Sequence, residues 1–194
     1  KGVNLIPVKN LKQLFLHLKK EKLSPIYEAN IEPIKRLETS RKLINDVIGQ
    51  DQAKRALAIA IAGRHNILLT GPPGTGKTML AKAALSLLPD LTDEEIIEVS
   101  KVHGLINNSA ATVRSRPFRA PHHTASKVSI VGGGPKALPG EVSLSHLGVL
   151  FLDEIPEYPR SVLESLRQPL EDKEITISRV NRSSTYPANF MLIA

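Results

Sequence analysis

Residues 66–78 read Asn66-Ile67-Leu68-Leu69-Thr70-Gly71-Pro72-Pro73-Gly74-Thr75-Gly76-Lys77-Thr78, and this stretch decides the fold. Three consecutive aliphatic residues between Asn and Thr predict a short buried strand over 66–70. Gly71 to Thr78 then fits G-x-x-x-x-G-K-[ST] at every fixed position. The glycines let the backbone wrap so that successive N–H groups converge on one concavity. The helix expected from Lys77 to Leu88 adds the positive end of its dipole. Such a concavity suits phosphate. Lys77 supplies a mobile positive charge for the β- and γ-phosphates of ATP or GTP, and Thr78 supplies a hydroxyl for Mg2+. The expected nucleotide-binding set is Gly71, Pro72, Pro73, Gly74, Thr75, Gly76, Lys77, Thr78 and Met79.

A second signal lies downstream, where Val149-Leu150-Phe151-Leu152 runs straight into Asp153-Glu154. Four apolar residues predict another buried strand, and two acids at its C-terminal end have the form of a Walker B motif. Asp153 is expected to hold Mg2+, mostly through water, because this ion sheds its hydration reluctantly. Glu154 is expected to orient and activate a water molecule, which argues for hydrolysis beyond binding. The catalytic set is therefore Glu154, Asp153 and Lys77, and Thr78 and Asp153 form the metal set.

Outward from these motifs, a helix is expected from about Gln50 to a C-terminal Gly63, and Thr92 with Glu95 spells a capping box for a helix over 92–103. A helix over 159–170 would turn Leu163, Leu166 and Leu170 inward. Ile175, Ile177 and Tyr186 flank a turn near 179–183, which reads as a hairpin, and 189–194 reads as a third buried strand. Continuous apolar strands separated by helices predict a parallel sheet covered on both faces, an α/β core of three layers. Upstream, Asn10 begins a short helix whose stripe of Leu11, Leu14, Phe15 and Leu18 reads as ordinary packing, and Pro25 and Pro33 punctuate a linker over 25–40.

The chain has 194 residues, 41% of them hydrophobic and only 4% aromatic, which excludes a disordered chain and disfavours a base-stacking platform. No apolar run approaches the roughly 20 residues of a membrane span. The lack of cysteine excludes disulfide and thiolate-metal frameworks and suits a cytoplasmic location. The chain opens at Lys1 and stops inside an apolar run, so it is expected to be a piece of a longer protein. Its net charge is +7, and residues 101–140 carry six Lys or Arg, three His and no acid. A solvated basic loop and a polyanion surface both fit that block. Its candidate nucleic-acid contacts are Arg114, Arg116, Arg119, Lys127 and Lys136. His122-His123 has neither the spacing nor the companions of a metal site and reads as hydrogen bonding or phosphate contact in a loop; His65, His103 and His146 read as packing or surface residues. Arg167 reads as a surface or intramolecular ion pair.

Val47-Ile48-Gly49-Gln50, the loop Gly71–Thr78 and the Asp153-Glu154 pair together resemble the AAA+ superfamily of P-loop ATPases. Arg116-Pro-Phe-Arg-Ala-Pro-His-His-Thr-Ala-Ser126, Gly132-Gly-Gly, Pro139-Gly-Glu-Val-Ser-Leu-Ser-His146 and Ser178-Arg179 are similar to its magnesium-chelatase-like family, nearest to the ComM- and YifB-like bacterial branch. The likeness covers about 41–194, and residues 1–24 would fit the tail of a preceding Lon-protease-like domain. The resemblance implies a ring, a hexamer closing around a pore, with ATP between subunits. It implies adenine near Val47, Ile48 and Gly49, and two pore-facing elements, an insert at Gly132–His146 and a hairpin turn carrying Arg179 and Arg182. In the ComM-like branch it implies DNA helicase or branch-migration activity. A protein-remodelling ATPase of the chelatase type and a nucleotide-dependent interaction module are the alternatives. The resemblance also sets a sensor residue and a helical lid after Ala194, so this stretch alone is expected to bind nucleotide weakly and turn it over barely.

Overall fold

The structure, a computed structural model, describes residues 6–21, 44–106, 112–179 and 182–194. The chain divides into two units, Lys1–Leu37 and Glu38–Ala194. In the first, helix α1 (Leu11–Leu18) is capped by Asn10, whose side chain accepts the Gln13 N–H at 2.9 Å. Its apolar stripe is not packed as expected. Leu11, Phe15 and Leu18 are exposed, because no second element among the described residues of that unit lies against them. The linker expected over 25–40 lies outside the described residues.

The second unit runs α2 (Asp51–Ala62), α3 (Lys77–Ala84), α4 (Asp93–Gly104), β1 (Phe118–Arg119), α5 (Lys127–Val131), β2 (Gly132–Gly133), β3 (Leu138–Pro139), α6 (Glu141–Leu144), β4 (Val149–Phe151), α7 (Arg160–Ser165), α8 (Arg167–Asp172), β5 (Glu174–Arg179), β6 (Arg182–Pro187) and β7 (Met191–Ile193). Strands β1, β4 and β7 form a parallel sheet in that order, and Ile67 bridges Ile193 in parallel on the far side of β7.

Side-chain alternation along the central strands builds the three layers. Val149 and Phe151 of β4, with Met191 and Ile193 of β7, pack against Leu57 and Ile61 of α2 and Leu80 and Ala84 of α3. Leu150 and Leu152 point the other way, into Ile130 of α5, Val142 of α6 and Val162 of α7. Both faces of β4 are dry. The sheet is also tight along its edge: a Cβ at Gly148 would collide with the Pro117 carbonyl oxygen, so only glycine admits the close approach of the chain leading into β1.

Four expectations change. The segment 66–70 is a partly buried edge with one bridge, and its Leu68 is 64% exposed. Ile67 and Leu69 pair with β7 and the residue after it, Ala194, and alternate side chains of the segment turn toward the core. Gly63 keeps a right-handed φ of −91°, and Arg64 takes the left-handed φ of 52°. The His65 N–H returns to the Ala60 carbonyl and the Arg64 N–H to Ile61, which closes a Schellman motif one residue later than expected. The helix over 159–170 splits at Leu166 into α7 and α8. Pro169 has no N–H for the Ser165 carbonyl and its ring crowds that oxygen, so the α-helical ladder breaks there. Finally, β1 arises inside the basic block, where no apolar run announced it.

The arginine and histidines that fix this unit are interior. Arg116, 6% exposed, donates to the carbonyls of Pro89, Asp90 and Leu147 and pairs with Glu95 at 3.2 Å. Glu95 also closes the capping box of α4 with Thr92, so one guanidinium ties the start of α4 to the entry of β4. His146 is buried; its Nδ1 accepts the Asn189 N–H at 3.1 Å, and its Nε2 lies 3.2 Å from Glu98 without hydrogen-bond alignment. Burial holds its pKa below the ordinary histidine value despite the attraction of Glu98 and Glu95. Burial likewise lowers His103, whose Nε2 meets the Leu144 carbonyl at 3.0 Å.

Truncating Arg116 to Met should cost about 2–4 kcal/mol, because three carbonyls and a carboxylate lose a charged partner at once. A urea midpoint unchanged in Arg116→Met would contradict this role. For the histidines, the unfolded chain takes up protons before the folded one. Stability should therefore be complete above a pH of about 6.5 and decline as the pH falls below it. Urea titrations at pH 7.5 and 5.5 should show the drop, and His146→Gln should flatten it.

Candidate functional site

The phosphate loop begins where the edge segment 66–70 ends and closes onto the first turn of α3. Gly74 and Gly76 take left-handed φ values of 81° and 85°, which side-chain-bearing residues adopt at a cost. Thr75 Oγ1 donates to the Pro72 carbonyl at 2.9 Å and fixes the curve of the loop. Lys77 Nζ donates to the carbonyls of Gly71 and Pro72 at 2.9 and 3.1 Å, so the ammonium lies across the loop and can exchange these oxygens for phosphate.

The first of the two acids after β4 meets the end of this loop. Thr78 Oγ1 donates to Asp153 Oδ2 at 3.0 Å, joining residues 75 positions apart in the sequence. A hydroxyl and a carboxylate at that separation are hard oxygen donors, the type Mg2+ selects, so the residues fit the ion. Asp153 Oδ1 accepts the Glu154 N–H at 3.1 Å, and Glu154 sits at a left-handed φ of 53°. That turn leads its carboxylate out of the strand line, where it is 65% exposed.

The adenine candidates divide. Gln50 reaches the loop, its Nε2 donating to the Thr75 carbonyl at 3.3 Å. That contact brings Val47, Ile48 and Gly49 to the loop's flank. The Val47 side chain, 2% exposed, belongs to the core, whereas Ile48 is 96% exposed beside it. Sequence reading assigned no role to Gln50 here, because a side chain-to-loop bond across 25 residues leaves no spacing signal.

The candidate phosphate contacts of the basic block also divide. Arg116 is unavailable, being interior and saturated by the contacts described above. Arg119, at the end of β1, commits its guanidinium to a bidentate pair with Glu141, at 2.5 and 2.7 Å. The hydrogen bonds to Glu141 raise its already high pKa. Arg114, Lys127 and Lys136 are exposed. The side chains of Arg179 and Arg182 lie outside the described residues, although their backbones pair at the end of the β5–β6 hairpin.

His122 and His123 belong to no group of three His, Cys, Asp or Glu among the described residues that could hold an ion. Instead His123 Nδ1 stands 3.8 Å from Glu154 Oε2, and its ring meets Tyr158 edge-on with centroids 6.5 Å apart. The Tyr158 hydroxyl donates to the Pro121 carbonyl at 2.6 Å, and burial, with the charge of Asp153, raises its pKa. No motif spacing links 123 to 154, and so this contact was missed.

A P-loop on the edge of a parallel sheet and an acid pair on its central strand, joined by a hydroxyl–carboxylate bond, agree with the comparison of the sequence with known families. The family model of magnesium chelatase, subunit ChlI, matches residues 43–194. The chain belongs to this family. It is 56% identical over 153 residues to the competence protein ComM of Haemophilus influenzae, covering 78% of this chain and 30% of that protein. It is 54% identical over 153 residues to the uncharacterized protein YifB of Escherichia coli, with the same coverage of 78% and 30%. The chain thus spans less than a third of the length of these relatives. Among solved structures, the BchI–BchD complex of magnesium chelatase is similar with a TM-score of 0.61 and 22% identity, covering 79% of this chain and 54% of that one. NtrX of Brucella abortus in complex with ADP gives a TM-score of 0.52 at 19% identity, covering 77% and 30%. These likenesses show the AAA+ fold. Membership of the family supports nucleotide binding and an ATPase core.

Replacing Lys77 by Ala removes the one side-chain cation inside the loop and should weaken ATP binding roughly 10- to 100-fold, the worth of a charge-assisted hydrogen bond. Asp153→Asn should chiefly remove the gain in affinity that Mg2+ confers. Titration of a fluorescent ATP analogue with and without Mg2+ measures both, and equal affinities for wild type and Lys77→Ala would contradict the site.

Proposed function

We propose that this chain is the Mg2+-dependent ATP-hydrolysing core of a ring-forming motor that acts on DNA. The observation that carries the hydrolytic part is the 3.0 Å bond between Thr78 and Asp153, which sets the phosphate loop and the acid pair around one point. Lys77 and the loop amides neutralise charge on the triphosphate, the source of most catalysis in phosphoryl transfer. Thr78 and Asp153 would hold the metal. Mg2+, when bound, withdraws charge from the phosphate oxygens and orients them. Glu154 accepts a proton from water as the water oxygen bonds to the γ-phosphorus and the bond from that phosphorus to the β–γ bridging oxygen breaks. ADP and inorganic phosphate leave.

Two observations support DNA as the object of the work. One is the 56% identity to a competence protein. The other is that Lys127 and Lys136 lie on the surface of a block with no acid, in which Arg116 and Arg119 are taken by internal partners. Backbone phosphates would then be met by Lys and Arg without base reading, which makes binding salt-sensitive and indifferent to sequence. A ring of six copies is what the resemblance to the family implies, and the chain's membership of that family supports self-association.

The deciding assay is ATP turnover by the chain extended to the length of its relatives, with and without single-stranded DNA, at two salt concentrations. Stimulation that fades with salt and disappears in Lys77→Ala is the expected result. Lys127→Glu and Lys136→Glu should each lower the slope of log affinity against log salt by about 0.7, one phosphate contact on a single strand. Strong basal turnover indifferent to DNA would move the assignment to a protein-remodelling motor of the chelatase type.

A further inference from the structure

We propose that the cavity at the N-terminal ends of β4 and β7 is a second ligand site, lined and charged for a small organic anion with an apolar body. The inference does not depend on the ATPase reading above.

Strand β4 delivers Asp153 to Thr78 at its C-terminal end. At its other end, Leu147 and Gly148 border a cavity of about 530 Å3, a size ordinary for small-molecule sites. Helix α3 starts in the phosphate loop, and Leu87 and Leu88, which follow its end, line the same cavity. Roughly 16 Å of helix therefore separates it from the nucleotide loop.

The walls are largely apolar: Ile61 of α2, Leu87 and Leu88, and Phe190 and Met191 at the entry of β7. Ala58 and Ala62 of α2 line it as well and are exposed to solvent, so its mouth lies along that helix. The Met191 N–H donates to the Gly148 carbonyl at 3.0 Å, joining the two strands that border it. With that pair of backbone groups satisfied, recognition falls to side chains.

The charged groups around the cavity are of one sign. Arg64 and Lys173 line it together with the amide-bearing Asn189, and among the described residues no acidic side chain does. Arg116 is also in the lining, but Glu95 meets its charge. Arg64 and Lys173 take left-handed φ values of 52° and 61° at the turns that end α2 and α8. Both turns are tied down, the Arg64 N–H to the Ile61 carbonyl at 3.1 Å and the Lys173 carbonyl to the Ala188 N–H at 2.7 Å. The Arg64 guanidinium has no partner among the described residues. Lys173 Nζ donates to the Leu170 carbonyl at 2.9 Å, and an ammonium has further protons to give. An apolar body gains by leaving water for these walls. A carboxylate, sulfonate or phosphate on that body meets charged donors. A cationic ligand meets two like charges.

A plain structural role for the two cations is to offset the negative C-terminal ends of α2 and α8. Their loss would then lower the thermal midpoint and leave ligand binding alone. The test is fluorescence titration with anilinonaphthalene sulfonate, in the protein extended to the length of its relatives and with Mg-ATP at saturation. Saturable binding that Mg-ATP does not displace is expected. N-phenylnaphthylamine, the same body without the sulfonate, should bind about tenfold or more weakly, and Arg64→Gln with Lys173→Gln should weaken the sulfonate by a similar factor. Ala62→Trp, at the exposed mouth, should block both probes at an unchanged thermal midpoint. If Ala62→Trp does not fold, the Arg64→Gln, Lys173→Gln pair decides. Equal affinity for the two probes, no effect of that pair, displacement by Mg-ATP, or no saturable binding to the extended protein each overturns the proposal.

Discussion

Everything in the second unit depends on β4 being dry on both faces. Val149 and Phe151 give the sheet one side, Leu150 and Leu152 the other, and each set meets its own helical layer. A strand so placed has its hydrogen bonds satisfied by β1 and β7, and it cannot slip by one residue without exchanging its two layers of side chains. Its end is therefore a fixed point. Asp153 and Glu154 leave that fixed point directly, which is why a carboxylate there can meet Thr78 in the first turn of α3 at hydrogen-bond distance.

The basic block shows why charge composition alone is a poor guide to an anion-binding surface. Residues 101–140 contain no acid, yet two of their arginines are neutralised, because the partners come from outside the block: Glu95 for Arg116 and Glu141 for Arg119. Glu141 is the next residue after the block ends. Arginine suits such internal positions, since its planar fork satisfies several carbonyl or carboxylate oxygens at once. The lysines differ. Lys127 and Lys136 have one compact charge on a flexible stem and remain at the surface.

Much of the fold and the centre of the site were legible in the sequence because their signals are local. The P-loop spacing, the apolar run before Asp153-Glu154, the Thr92–Glu95 box and the hairpin of β5 and β6 each sit within a dozen or so residues, and each is found where the pattern set it. The missing pieces are contacts between distant segments. Two residues, Phe118 and Arg119, become a strand only because β4 is there to pair with them. Gln50 meets Thr75, and His123 meets Glu154, through tertiary placement with no periodicity to betray it. The break at Leu166 has a local cause: the missing N–H of Pro169 interrupts the ladder while the inward spacing of Leu163, Leu166 and Leu170 continues across it.

Glu154 itself unites these two kinds of information. A glutamate in the left-handed region costs on the order of 1 kcal/mol or more relative to the right-handed one, so something must hold it there. Before it, the Asp153 carboxylate accepts its N–H; after it, the Glu157 N–H returns to the Glu154 carbonyl at 2.8 Å and opens the 3-10 turn. Tyr158 then closes the turn against the Pro121 carbonyl. The acid pair of the motif is thus a geometric unit running from residue 153 to residue 158, in which the Asp153 carboxylate fixes the backbone of its neighbour and a buried phenol fixes the far end. Strain at Glu154 is consistent with a residue placed for chemistry, since a solvated strand-end acid would relax into the ordinary β or right-handed region.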